Sequence, residues 1–204
     1  MKRATPFTFF LFCLMITGWG STYVESHQRS ARSTLVLQLP GTWKSESPED
    51  IDSGYYSTRE FTFTEKRWRV DAKFYKDQLL SVPLFTFSAE GPYRLDKASS
   101  VVIGARNAVF SFSKKTLTLA SNDPAILSRF KLADCQLVVG VPKDISSTGC
   151  SFFTSISQCG QEFDLVDIKD DLLRLGMRPA DRNMCSEDKR PKALGLPVRR
   201  QKND

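Results

Sequence analysis

The chain is poor in the residues on which most catalytic and metal sites depend. It contains a single histidine, His27, and no Cys-x-x-Cys pair. A serine or cysteine nucleophile therefore lacks an obvious base, and zinc lacks a recognisable set of ligands. Glycine loops that cradle phosphates and the spacing of a calcium loop are also missing. We expect a protein that is not an enzyme and that holds neither a metal nor a cofactor.

One catalytic alternative rests on acidic residues in the second half of the chain. Glycoside hydrolases use paired carboxylates, and the residues that would supply them here are Asp144, Asp167, Asp170 and Asp171. Acidic residues are also common in turns, so we do not favour this catalytic alternative.

A long apolar run is missing after the first twenty residues, so we expect no membrane span. Residues 1–20 have the three parts of a signal peptide, namely a basic start, an apolar core over residues 6–16 and small residues at Gly18 and Gly20. A retained signal anchor is the alternative, but a membrane-spanning helix needs about 20 apolar residues and this core is shorter. We therefore expect a cleaved signal peptide over residues 1–20, a polar leader over residues 21–33 and a secreted, extracellular mature protein.

Positive charge is concentrated near one end of the chain. The sequence has 29 Lys and Arg against 23 Asp and Glu, a net charge of +6. Residues 178–204 contribute +4 and the start of the signal peptide +2, so residues 21–177 balance to zero. A neutral, exported body is not expected to bind nucleic acid. The basic tail, which includes the dibasic pair Arg199-Arg200, fits contact with acidic glycans or matrix, or a processing site.

Four cysteines follow the signal peptide: Cys135, Cys150, Cys159 and Cys185. An even number in a secreted chain favours disulfides, with three possible pairings. We favour Cys135 with Cys150 and Cys159 with Cys185. The first bridge would close a loop of about 15 residues, which contributes roughly 3 kcal/mol of stability. The second would tie the polar tail to the body.

Alternation of apolar and polar residues dominates residues 34–177. Residues 60–64, 67–71 and 84–88 alternate strictly, which is the period of a β-strand with one apolar face. About nine or ten such strands follow one another, and one short helix is predicted to begin at Pro124 behind Asp123. Strands of this kind bury their apolar faces together. We predict a mainly β, antiparallel, lipocalin-like β-barrel or half-barrel over residues 34–177 and an irregular basic tail over residues 178–204.

The apolar face of the predicted barrel is unusually aromatic, in a chain with 15 phenylalanines. Its members are Trp43, Phe61, Phe63, Trp68, Val70, Phe74, Phe85, Phe87, Phe110 and Phe112. A barrel of about eight strands either fills with side chains or holds one small ligand. Large rings serve both outcomes, so the pattern leaves open a packed core and an apolar pocket suited to a fatty chain or other lipid.

Several segments, taken in order, resemble the "adenomatosis polyposis coli down-regulated" family of secreted Wnt antagonists. They are Leu39-Pro40-Gly41-Thr42-Trp43, Thr58-Arg59-x-Phe61-x-Phe63, Pro83-Leu84-Phe85-Thr86-Phe87, Gly149-Cys150 and Leu172-Leu173 leading to Arg178-Pro179. The resemblance depends on their order and spacing through most of the mature chain. Gly41-Thr42-Trp43 alone also resembles the opening of lipocalins.

The resemblance implies a curved antiparallel barrel or half-barrel whose apolar cavity accepts lipid. It implies a non-catalytic action, in which the protein captures the acyl chain of a lipid-modified Wnt ligand or contacts its receptors and so damps signalling. The cavity would then be lined by Trp43, Phe61, Phe63, Trp68, Phe74, Phe85 and Phe87. The family's Cys…Gly-Cys pattern also agrees with a bridge between Cys135 and Cys150.

The chain departs from the family in its domain number, anchor and cysteines. Family members usually carry two such domains and a membrane anchor, whereas we expect a single-domain member without an anchor. Family cysteines are missing at residues 46–48 and 76–79. We expect a secreted binding protein for a lipid or a lipidated signalling protein. The alternative is an extracellular-matrix or secreted structural protein that uses the barrel as a rigid body and the basic tail for contacts with glycans or surfaces.

Overall fold

The computed structural model of the protein describes residues 38–52 and 54–202, so the predicted signal peptide and polar leader lie outside the described residues. One antiparallel sheet dominates the described part of the chain. Its strands are β1 (Gly41–Ser45), β2 (Glu49–Asp52), β3 (Tyr55–Phe63), β4 (Arg67–Tyr75), β5 (Pro83–Ala98), β6 (Arg106–Ser111), β7 (Lys114–Leu119), β8 (Lys143–Asp144), β9 (Gln161–Lys169), β10 (Leu172–Gly176) and β11 (Leu194–Arg200). A short helix, α1 (Pro124–Arg129), and two 3-10 helices (Ala133–Cys135 and Glu187–Lys189) lie between the strands.

Eight of these strands close into a barrel in the order β1, β3, β4, β5, β6, β9, β10 and β11, with β11 pairing back to β1. Every pairing in the ring is antiparallel. The predicted mainly β, antiparallel barrel with one short helix is therefore confirmed. The helix begins as predicted, because the Asp123 carboxylate accepts the N–H of Ala125 at 2.9 Å.

The C-terminal segment corrects the prediction of a wholly irregular tail, because residues 194–200 form β11. In β11, Val198 lies opposite Leu173 of β10 and is only 1% exposed. Without β11, the facing edges of β1 and β10 would each expose a row of unpaired backbone groups. The dibasic pair that fits a processing site is held in this paired strand, where Arg199 and Arg200 lie opposite residues of β1.

Strand β5 is 16 residues long and pairs with two different strands along one of its edges. Its first half pairs with β7 and its second half pairs with β6, while β4 follows it on the other side. The sheet divides at Gly91, where an added Cβ would lie 2.0 Å from the carbonyl oxygen of Ser111. Only glycine permits this close approach of two backbones. Strand β6 therefore stays in the barrel, and β7 starts a second layer.

Two apolar cores result from this division. The barrel core contains Trp43, Phe63, Val166, Leu173 and Val198, each at most 3% exposed. The second core lies between the first half of β5, β7 and α1, and it contains Leu84, Phe85, Leu117, Ile126 and Ile145. The barrel and the second layer thus each have an interior of their own.

Both predicted disulfides are confirmed. Cys135–Cys150 borders the second core, and Cys159–Cys185 joins the segment before β9 to the segment between β10 and β11. Within residues 38–52 and 54–202, no helix is long and apolar enough to cross a membrane.

Deleting residues 194–204 should strongly destabilise the protein, because it removes β11 and exposes the edges of β1 and β10. We expect the midpoint of thermal unfolding, followed by circular dichroism, to fall by roughly 10 °C or more. Deleting only residues 202–204 is the matched control and should shift the midpoint by less than about 2 °C. Equal midpoints for the two deletions would show that β11 does not close the barrel.

Candidate ligand-binding cleft

A cleft of about 1100 Å³ opens along the inner face of the sheet. Alternate residues of β3 and β4 point into it, since side chains of a strand alternate between its two faces. These are Ser57, Arg59 and Phe61 of β3 and Trp68, Val70, Ala72 and Phe74 of β4. The opposite wall consists of residues 152–154 and 177–185. The cleft therefore continues the barrel interior outward between the sheet and two loops.

Aromatic rings in mutual contact form most of the inner wall. Trp68 lies edge-on to Phe110 and Phe112, with ring centroids 5.2 and 5.6 Å apart. Phe87 stacks on Phe153 at 4.2 Å, which joins the sheet to the loop that follows Cys150. Such a wall supplies a large apolar surface with a defined shape.

Four of the seven residues predicted to line a cavity do line this cleft: Phe61, Trp68, Phe74 and Phe87. The other three lie in the two cores, where Trp43, Phe63 and Phe85 are at most 3% exposed. Phe85 stacks directly behind Phe74 at 4.4 Å. The structure thus separates rings that line a cavity from rings that fill a core, and a role in ligand binding stays a prediction for the four.

The aromatic wall residues that were not predicted from the sequence include Phe130 and Phe153. Phe130 ends α1, and Phe153 lies in a turn after the Cys135–Cys150 bridge. Neither belongs to a strand with alternating residues, so strand periodicity carries no signal for them. The proximity of Phe153 to a cysteine of a short disulfide loop is the feature that would have suggested it.

Charged residues meet at one end of the cleft. The guanidinium of Arg178 donates two hydrogen bonds, each of 2.7 Å, to the two carboxylate oxygens of Glu162. This forked geometry is the strong form of an ion pair. Farther along the cleft, Arg59 pairs with Glu49 at 2.9 Å. Cleft charges of both signs are therefore largely matched within the protein.

Lys115 is an exception, because its ammonium is buried against carbonyl groups and a ring. The side chain is 3% exposed, and its Nζ donates to the carbonyl oxygens of Thr154 at 2.9 Å and Cys159 at 3.3 Å. Nζ also lies 3.9 Å from the ring centroid of Phe112. Burial lowers the pKa of Lys115, an effect that Glu162 opposes and Arg178 reinforces.

Asp164 is a second buried ionisable group beside the cleft. Its carboxyl accepts the backbone N–H groups of Leu165 at 2.7 Å and Gly176 at 2.8 Å. Burial raises the pKa of Asp164 to about 7, since it disfavours the charged form. Glu162 adds to this shift, while the two backbone hydrogen bonds and Arg178 oppose it. Asp164 is therefore largely protonated below neutral pH.

The carboxylates considered for glycoside chemistry do not line the cleft as described, since Asp144, Asp167, Asp170 and Asp171 all lie elsewhere. Among residues 38–52 and 54–202, no group of three His, Cys, Asp or Glu side chains is arranged to hold a metal. The arrangement at the cleft is one of apolar surface with a charged end.

A sequence profile of the family described as "Adenomatosis polyposis coli down-regulated 1" matches residues 22–143, which is more than half of the chain. The matched range includes β1 to β7 and α1, and with them the residues of β3, β4, β5 and β6 that line the cleft. Residues 152–154 and 177–185, which form the opposite wall, follow the matched range. No curated protein matches the chain.

The variant Asp164→Asn should remove a pH dependence of stability. In the folded wild type the carboxyl holds its proton up to about pH 7, whereas in the unfolded chain it ionises near its ordinary pKa of about 3.9. Wild-type stability should therefore fall as the pH rises between these values, by up to about 1.4 kcal/mol per pH unit from this group.

Urea unfolding followed by tryptophan fluorescence between about pH 5 and about pH 8 measures this difference. Asn keeps an oxygen that accepts from Leu165 and Gly176 but does not ionise, so the free energy of unfolding should depend less on pH. The control Asp167→Asn should keep the wild-type slope. Parallel curves for wild type and Asp164→Asn would contradict the assignment.

Proposed function

The chain belongs to the adenomatosis polyposis coli down-regulated 1 family, and from this premise we propose that it is a secreted, non-catalytic binding protein for an apolar ligand. The ligand is a lipid or the acyl chain of a lipidated extracellular protein, and the binding site is the aromatic cleft. By capturing a lipidated ligand of the Wnt type, the protein would damp the signal that this ligand carries.

The observation that carries this proposal is the size and composition of the cleft. Small-molecule sites are mostly apolar clefts of about 300–1,000 Å³, and the volume of about 1100 Å³ of this cleft lies just above that range. Each methylene that leaves water for such a wall contributes roughly 0.8 kcal/mol. An alkyl chain gains most from a wall of rings, because it has few polar groups to satisfy.

The two disulfides support an extracellular location, since disulfides persist mainly in oxidising compartments. The cleft wall depends on both of them, because Cys150 precedes the turn with Phe153 and Cys185 ends the 177–185 wall.

The structure supports the alternative function, a structural protein with a basic binding tail, less well than it supports ligand binding in the cleft. Five tail cations are paired within the chain: Arg178 with Glu162, Lys189 with Asp181, Arg190 with Glu187, Arg199 with Glu46 and Arg200 with Asp171. Paired cations offer less net charge to an acidic glycan. The cleft is therefore the better supported site.

Native mass spectrometry of the protein secreted from eukaryotic cells tests the proposal directly. We expect a bound mass in the range of a fatty acid or other single-chain lipid, together with loss of residues 1–20. A mature protein that carries no adduct, and that takes up no added dodecanoate or methyl dodecanoate, would contradict it.

The variant Phe87→Glu should abolish this uptake, because it places a charge in the aromatic wall where an alkyl chain would lie. Phe87 is partly exposed within the cleft, so the sheet should fold. The control Ile103→Glu makes the same change at a fully exposed apolar residue outside the cleft and should leave uptake unchanged. Equal uptake by the two folded variants, checked by circular dichroism, would mean that the ligand binds elsewhere.

A further inference from the structure

Lys115 is a buried cation without a matching anion. Among the described residues, its ammonium takes part in no ion pair, and its recorded partners are the two carbonyl oxygens and the ring of Phe112. Removing a charge from water without a counter-ion is costly. Carbonyl dipoles and a ring face offset part of that cost, and an anion entering the cleft would offset the remainder.

The charged groups around Lys115 leave this end of the cleft positive. Glu162 is held in the two-bond fork with Arg178 and forms no ion pair with Lys115. The buried carboxyl of Asp164 is largely protonated below neutral pH. Arg182, on the loop wall, lies over the ring of Phe152 at 4.5 Å and forms no ion pair with a described carboxylate. Three cations, Lys115, Arg178 and Arg182, therefore face the paired carboxylate of Glu162 and the buried carboxyl of Asp164. Asp181 also lines the cleft, but it is paired with Lys189.

Apolar surface begins where this positive end stops. Phe112, on which the Lys115 ammonium lies, is in edge contact with Trp68, and Trp68 is in contact with Phe110. All of these side chains line the cleft. A cation at one end of an aromatic channel is complementary to a molecule with an anionic head and an alkyl tail.

We infer that the cleft binds a free fatty acid, with Lys115 as the counter-ion of its carboxylate and the rings of Trp68, Phe110 and Phe112 around its alkyl chain. The inference rests on the proposed function and narrows it. An acyl chain attached to a protein by an ester has no charge at its carbonyl, so it would leave the Lys115 ammonium without an anion. The competing view is that Lys115 serves only to tie β7 to residues 154–159.

Binding of dodecanoate and its neutral methyl ester to the mature protein tests the inference. Quenching of tryptophan fluorescence reports occupancy, because Trp68 lines the cleft. Hydrogen bonds to charged groups are stronger than those between neutral groups, so wild type should bind dodecanoate about tenfold or more tightly than the ester. Equal affinities in the wild type would overturn the inference without any variant.

Three variants then test whether the charge of Lys115 causes the preference for dodecanoate over its ester. Lys115→Met should lower the affinity for dodecanoate to that of the ester and leave the ester's affinity unchanged. Lys115→Arg retains the charge and should retain the preference for the acid. Lys114→Met is the matched control, since Lys114 is the exposed neighbour on the other face of β7, and it should behave as wild type.

The outcomes separate this inference from the proposed function. If wild type binds both probes with equal affinity, the proposed binding of apolar ligands in the cleft is retained and only the inference about Lys115 is wrong. If a folded Lys115→Met variant keeps the preference for the acid, the lysine is a structural tie and the inference is wrong. If neither probe binds to the wild type, both the proposed function and the inference fail.

Discussion

The barrel depends on the pairing of β1 with β11, which lie near opposite ends of the described chain. At this junction Trp43 lies opposite Arg200, whose guanidinium covers the indole ring at 4.1 Å and donates to the carbonyl oxygen of Pro40 at 2.9 Å. The indole N–H donates to the carbonyl oxygen of Leu39 at 2.9 Å, so the fully buried ring has its polar group satisfied. Closure leaves no unpaired edge in the ring of eight strands, and it encloses the barrel core.

The cleft exists because β4 and β5 are longer than the barrel requires. Between its start and Gly91, β5 pairs with β7 instead of β6. This part of the sheet lies outside the closed ring on that side and packs on the second core. Inward-facing rings near the division, such as Trp68 and Phe87, therefore meet a cleft and loops where a small closed barrel would fill with side chains. The opposite wall is held by two disulfides and by the forked pair of Arg178 and Glu162. An irregular wall of this kind needs such fixed points, because it has no ladder of backbone hydrogen bonds.

The electrostatics of the cleft follow from the same arrangement. Burial shifts the pKa values of two ionisable groups at the cleft. The carboxyl of Asp164 holds its proton to about pH 7, and the pKa of the Lys115 ammonium is lowered. The result is an apolar channel with a positive end, in a member of a family whose profile matches the sheet side of the site. These features of the cleft are the ones on which the proposed binding function rests.

Local sequence determined the alternating strands β3, β4 and the first half of β5 and the start of the helix, because each depends on residues that are near neighbours along the chain. Alternation placed Phe61, Trp68, Phe74 and Phe87 on the inner face, and an even set of cysteines indicated disulfides, which the structure contains. Alternation did not distinguish these rings from Trp43, Phe63 and Phe85, since core-filling and cleft-lining residues share one face of a strand. Tertiary structure alone decided that β11 closes the barrel, that the sheet divides at Gly91 and that Lys115 is buried beside the rings. Those outcomes depend on contacts between segments far apart in the chain, which only the closed ring brings within bonding distance.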